Sequence, residues 1–150
     1  MNAMDTPALY RDAVLDHYRN PRNRGALPDC THAADGVNPL CGDSLRIELV
    51  CVGGRIVEMR FSGEACAITT ATASMLSELV RGFDGGQVAA AEIPFERLLR
   101  GETSEDRALG ALNTLRELHR YPTRRKCAQL PWATLRAALE GTPRISTETP

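Results

Sequence analysis

Two short runs of alternating polarity, set back to back around a Gly-Gly pair, constrain the fold of this chain most. Between Ser44 and Cys51, Leu45, Ile47, Leu49 and Cys51 fall on one face, and Arg46 and Glu48 on the other. Side chains of a strand alternate, so this is the pattern of a strand buried on one side. Gly53-Gly54 supplies a hairpin turn. Arg55 to Phe61 is the expected return strand, with Val57, Met59 and Phe61 on one face. A weaker strand precedes the pair, from about Cys30 to Val37. From Ala67 onward the period lengthens and stays helical, with Ile68, Ala71, Met75 and Leu79 on one face and Gly82 as the stop. Strands first and helices later predict an α+β fold: a small antiparallel sheet of about three strands, with helices packed on one face.

The other helices follow from local punctuation. Thr6-Pro7 has the form of an N-cap and first helical residue, and Tyr10, Val14 and Tyr18 then recur at four-residue spacing until Asn20-Pro21. Gly85-Gly86 predicts a break before a short Ala-rich segment ending at Ile93, and Pro94 predicts a new short helix closing at Gly101. Thr103 or Ser104 is the expected cap of a longer helix, with Ala108, Leu112 and Leu115 buried and Tyr121-Pro122 at its end. The last helix is expected over Pro131 to Glu140, with Trp132, Leu135 and Leu139 inward and Gly141 as its stop. Residues 1–141 are expected to form one domain, and Thr142 to Pro150 a disordered tail.

Charge and cysteine usage narrow the function classes. A net charge of −1 over 150 residues gives no support for a nucleic-acid partner. No apolar run approaches the roughly 20 residues needed to cross a membrane. The N-terminus has no apolar signal core, so the cytosol is the expected compartment. Five cysteines are an odd number, and in a reducing compartment they are not expected to pair. They must then be core residues, metal ligands or reactive thiols.

Three of the five share a kind of setting. Cys41 lies in Pro39-Leu40-Cys41-Gly42-Asp43, Cys66 follows Gly63-Glu64-Ala65, and Cys127 follows Arg124-Arg125-Lys126. Each is expected in a turn or at a helix start. Asp43 adds a carboxylate two residues after the first. Three thiolates and a carboxylate suit tetrahedral zinc or an iron–sulfur cluster. None belongs to a CxxC knuckle, which points to a site assembled from distant segments. Plainer readings stand beside these: a turn cysteine with a self-bonded Asp, a small buried Cys66, and a solvated basic turn at Cys127 or a docking patch for an acidic partner. Cys51 continues an apolar strand face, and Cys30 is given no role. His17, helical and next to Tyr18, is read as structural, and His32 and His119 have no companion at metal-ligand spacing.

Together these segments resemble a known family. Leu9-Tyr10-Arg11-Asp12, Asp16 through Asn23, Asn38 through Asp43, Phe61 through Ile68, Tyr121-Pro122, Lys126-Cys127-Ala128 and Trp132 are similar to the IscU/NifU N-terminal iron–sulfur cluster assembly proteins. Three departures resemble the SufU branch. Lys126 stands where IscU proteins carry a His before the third cysteine. Arg120-Tyr121-Pro122-Thr123-Arg124 replaces the Leu-Pro-Pro-Val-Lys chaperone motif. The gap between Cys66 and Cys127 is longer. The resemblance implies a compact α+β fold and zinc on Cys41, Asp43, Cys66 and Cys127. It implies a sulfurtransferase-type relay in which Cys41 accepts the persulfide sulfur of a SufS-type cysteine desulfurase, a partner histidine replacing Cys41 on the metal. Downstream iron–sulfur assembly proteins would be the recipients. The alternative is a scaffold for a [2Fe-2S] cluster, with iron or the cluster on the same ligands. A purely structural zinc domain is disfavoured, because such sites seldom recruit Asp.

Overall fold

A computed structural model describes residues 5–148, with side chains from residue 12 onward. In chain order the elements are α1 (Asp5–Arg19), β1 (His32–Asn38), β2 (Asp43–Val52), β3 (Arg55–Glu64), α2 (Ala67–Leu79) and α3 (Gly85–Leu99). A 3-10 segment (Arg107–Arg120), α4 (Pro122–Glu140) and β4 (Arg144–Ser146) complete it. The sheet order is β3-β2-β1-β4. The first three strands are antiparallel, and β4 lies parallel to β1.

Leu45, Ile47 and Leu49 of β2 are buried as their alternation predicts. The return strand differs at one position. Val50 pairs with Glu58 but Cys51 pairs with Ile56, so Val57 is an extra residue without a partner. A bulge of this kind reverses the alternation. Val57 is therefore exposed, and Ile56 joins Met59 and Phe61 in the core.

Three helical expectations give way to packing. Gly85-Gly86 does not break the chain but forms the first turn of α3. Asp84 Oδ1 accepts from Gln87 N–H at 2.8 Å, and Gln87 Oε1 accepts from Asp84 N–H at 2.9 Å. This reciprocal cap starts the helix despite its glycines. α3 runs on through Pro94 because Val88, Ala91, Phe95 and Leu98 hold it to the core. Likewise α4 begins at Pro122 and continues through Pro131. The stretch expected as an α-helix after Thr103 is a 3-10 segment, capped by Asp106, whose side chain accepts from Ala108 N–H. Gly110 (φ 53°, ψ −127°) kinks the segment; beyond it Leu112, Leu115 and Leu118 are buried at three-residue spacing, the period of such a helix, while before it Leu109 is buried and Ala108 faces out.

The two ends of the chain also depart from expectation. α1 already includes Asp5, so Thr6 lies within it and is not its cap. Val14 and His17 face inward while Tyr18 is exposed, and the Tyr10 side chain lies outside the described residues. The stretch after Gly141, expected to be disordered, contributes β4. One apolar residue, Ile145, carries no alternation signal. What orders the segment is the open edge of β1, which pairs with it at Asp35, Gly36 and Val37.

α2 is the central helix, buried on all sides from Ile68 to Ser77. α4 lies against β1 at a close approach. A Cβ on Gly36 would sit 2.0 Å from Thr134 Oγ1, so only glycine lets the helix come this near the strand. That contact sets the distance between the body of α4 and the end of β1.

Candidate metal centre

The turn between β1 and β2 carries the first two candidate ligands. Cys41 N–H bonds to Asn38 O at 3.2 Å, and Gly42 has φ +71°, a conformation L side chains rarely adopt. The chain thereby turns back at once, leaving Cys41 exposed on the outside and Asp43 buried at the start of β2. Cys66 lies between β3 and α2 as the N-cap of the helix, without a capping bond from its own side chain. Asp43 instead holds the cap residue's own backbone, with Oδ1 accepting from Cys66 N–H at 2.8 Å. The Thr69 hydroxyl, in the first turn of α2, donates to Asp43 Oδ2 at 2.7 Å and lies 3.4 Å from Cys66 Sγ.

Cys127 arrives from α4. It lies inside the helix body and not at a helix start or in a basic turn, so the helix-dipole argument applies to Cys66 alone. Its Sγ is buried, 3.2 Å from Cys41 Sγ and 3.7 Å from Asn38 Nδ2. Of the three preceding cations, Lys126 is paired with Glu148 and Arg124 is exposed.

All four residues named from the sequence thus meet at one end of the sheet. Donor atoms of Cys41, Asp43 and Cys127 lie within 4.8 Å of one another. Cys66 stands beside this trio, its Sγ 3.8 Å from Asp43 Oδ2. The donor chemistry fits a metal. Three sulfurs suit zinc or iron, and each carboxylate oxygen of Asp43 spends one lone pair on its hydrogen bond and keeps another. Cys30 and Cys51 take no part: Cys30 Sγ is 3.7 Å from Glu48 Oε2, and burial pushes the Cys51 thiol up. His17 is bonded to Ser74 and His119 to Arg116 O, and no histidine reaches the site among the described residues.

Two contributors were invisible in the sequence reading. Thr69 carries a weak signal, a hydroxyl three residues after a cysteine cap. Asn38 opens the turn motif, but only the packing of α4 shows what it faces.

The thiols titrate unevenly. The neighbouring Cys127 thiol, with the Thr69 hydroxyl, outweighs burial and draws Cys66 down from 9.0 to about 6. Cys127 is pushed up by the neighbouring Cys66, by burial and by Cys41. The two thiols therefore titrate apart, Cys66 below the ordinary thiol value and Cys127 above it. A depressed folded pKa adds stability above the unfolded value, lost as pH falls through the folded one. A raised pKa does the reverse. Metal-free protein should therefore gain stability between pH 6 and 9 from Cys66 and lose it above 9 from Cys127. Denaturant midpoints across that range check this, and a flat profile would refute the split titration.

The comparisons with known proteins agree with this architecture. The model of the NifU-like N terminal domain matches residues 9–128. The zinc-dependent sulfurtransferase SufU of Bacillus subtilis is 36% identical over 128 residues, covering 85% of this chain and 86% of that protein. The iron–sulfur cluster assembly scaffold protein IscU of Thermotoga maritima is 31% identical over 132 residues, covering 88% and 93%. Among solved structures, a SUF-system iron–sulfur cluster assembly scaffold protein from Fervidobacterium islandicum superposes with a TM-score of 0.78 at 28% identity, covering 85% of this chain and 94% of that one. With 120 matched residues and the cysteine-bearing turn, cap and helix in place, this chain belongs to the NifU-like N terminal domain family.

Proposed function

We propose that this chain is an iron–sulfur cluster assembly protein acting in the cytosol as a zinc-dependent sulfurtransferase. Its donor is a SufS-type cysteine desulfurase, and its products go to downstream iron–sulfur assembly proteins. Cys41, Asp43, Cys66 and Cys127 would hold the zinc. The observation that carries the reading is an asymmetry: Cys41 is exposed on a glycine turn, while Asp43 and Cys127, at the same point, are buried. Bound zinc supplies acidity that keeps these thiols deprotonated at neutral pH.

The sulfur step uses Cys41 alone. Its thiolate attacks the terminal sulfur of the desulfurase persulfide. A new S–S bond forms on Cys41, the donor's S–S bond breaks, and the donor cysteine leaves as thiolate. No oxidant is needed. Gly42 gives the turn its freedom, and Leu40 beside it is exposed for contact with a partner. Asp43, Cys66 and Cys127 stay tied to β2, α2 and α4. No helix among the described residues is long and apolar enough to cross a membrane.

The scaffold reading is supported by the likeness to IscU, and thiolates bind iron as well as zinc. Lys126, engaged with Glu148, offers no extra ligand there. Desulfurase turnover with the zinc-loaded protein and no iron separates the two. Stimulation is expected. No stimulation, together with cluster assembly and transfer by the iron-loaded protein, would replace the relay by the scaffold.

A further inference from the structure

The C-terminal segment reaches the site from the far edge of the sheet. Beyond β4, Thr147 N–H continues the ladder to Val37 O at 3.0 Å. The Thr147 hydroxyl donates to Asn38 Oδ1 at 2.9 Å. Asn38 is fully buried, so its amide has few partners to choose from. With Oδ1 turned to Thr147, Nδ2 must point the other way, and there it faces Cys127 Sγ. The next residue, Glu148, pairs with Lys126, the neighbour of Cys127 on α4. Two consecutive residues of the segment therefore engage Asn38, which faces the Cys127 sulfur, and Lys126, which precedes Cys127 in the chain.

We infer that residues 144–148 act as a positioning strap for the metal centre, with Thr147 aiming the Asn38 amide at the Cys127 sulfur and Glu148 anchoring Lys126 beside it. The inference rests on Cys127 being a metal ligand. An N–H aimed at sulfur suits a thiolate, which only accepts, and opposes the reversed amide. Partners of ligands hold them in orientation, and their loss commonly weakens metal affinity about 10- to 100-fold. If the segment merely covers the open edge of β1, its loss lowers stability and leaves the metal unaffected.

The 150-residue chain tests this with Thr147→Val, which keeps the shape and removes the donor, and Thr147→Ser, which restores it. Zinc affinity is read by competition with a chromogenic chelator, the thiolate-to-metal band in the cobalt(II)-substituted protein, and stability by thermal melting. Thr147→Val should weaken zinc by about 10-fold and shift the cobalt band, and Thr147→Ser should return both. Glu148→Gln changes an exposed residue, keeps the fold, and should speed zinc release severalfold, so a poorly folding Thr147 variant does not end the test. Unchanged affinity and an unmoved band in Thr147→Val, whatever its melting temperature, would overturn the strap. So would unchanged release in Glu148→Gln if Thr147→Val does not fold. Wild-type protein without a cobalt–thiolate band would overturn the metal site, and the strap with it.

Discussion

Cys41→Ala is expected to abolish stimulation of a SufS-type desulfurase while leaving the fold intact. The side chain is exposed, and the turn around it is set by backbone bonds and by Gly42. Removing one sulfur there opens no cavity, so the melting temperature of the metal-free protein should not move. The chemistry has no substitute, because Cys127 is buried and Cys66 is held by Asp43 and Thr69. Turnover should fall to the desulfurase's own rate. Mass spectrometry of wild-type protein incubated with desulfurase and cysteine should find the added 32 Da, the mass of one sulfur atom (roughly, as for any persulfide), first on Cys41. Added sulfur mainly on Cys66 or Cys127, or normal stimulation by Cys41→Ala, would show the acceptor assignment to be wrong.

Asp43→Ala is expected to affect both stability and metal. The buried carboxylate is the acceptor for Cys66 N–H and for the Thr69 hydroxyl. Its loss leaves the Cys66 N–H without this acceptor in a water-poor place, at a cost of about 3 kcal/mol, while the Thr69 hydroxyl keeps Cys127 O at 3.1 Å. For a chain of this size that is a fall in melting temperature on the order of 10 °C. The same change removes the only oxygen donor of the proposed set and the bond that holds Cys66. Zinc content measured after gel filtration should drop well below that of wild type. Full zinc retention with unchanged desulfurase stimulation would reduce Asp43 to a turn residue.

The sequence was most legible where structure is local. Leu45, Ile47 and Leu49 alternate because a single strand imposes a period of two, and no distant residue is needed to see it. The turn Cys41-Gly42-Asp43 and the cap position of Cys66 were legible for the same reason. Val57 shows the limit. One inserted residue reverses a face, and the pairing of Cys51 with Ile56 is a property of two strands together. Gly85-Gly86, Pro94 and Pro131 look like breaks because propensity charges each about 1–3 kcal/mol. The Asp84–Gln87 cap and the burial of Phe95, Leu98, Trp132 and Leu135 outweigh that cost in the folded protein.

The chain's residue types determined the chemistry available: three thiols and a carboxylate in three separate segments, with no CxxC knuckle among them. Tertiary structure decided how those groups meet. The close approach at Gly36 brings the body of α4 to the end of β1, which sets Cys127 against Cys41 and Asn38. The edge of β1 orders Arg144–Ser146, which no periodicity announces, and so places Thr147 and Glu148 beside the site. Such contacts join residues 86 and 109 positions apart. Local preference cannot encode them, because they arise only when helix and strand share one core.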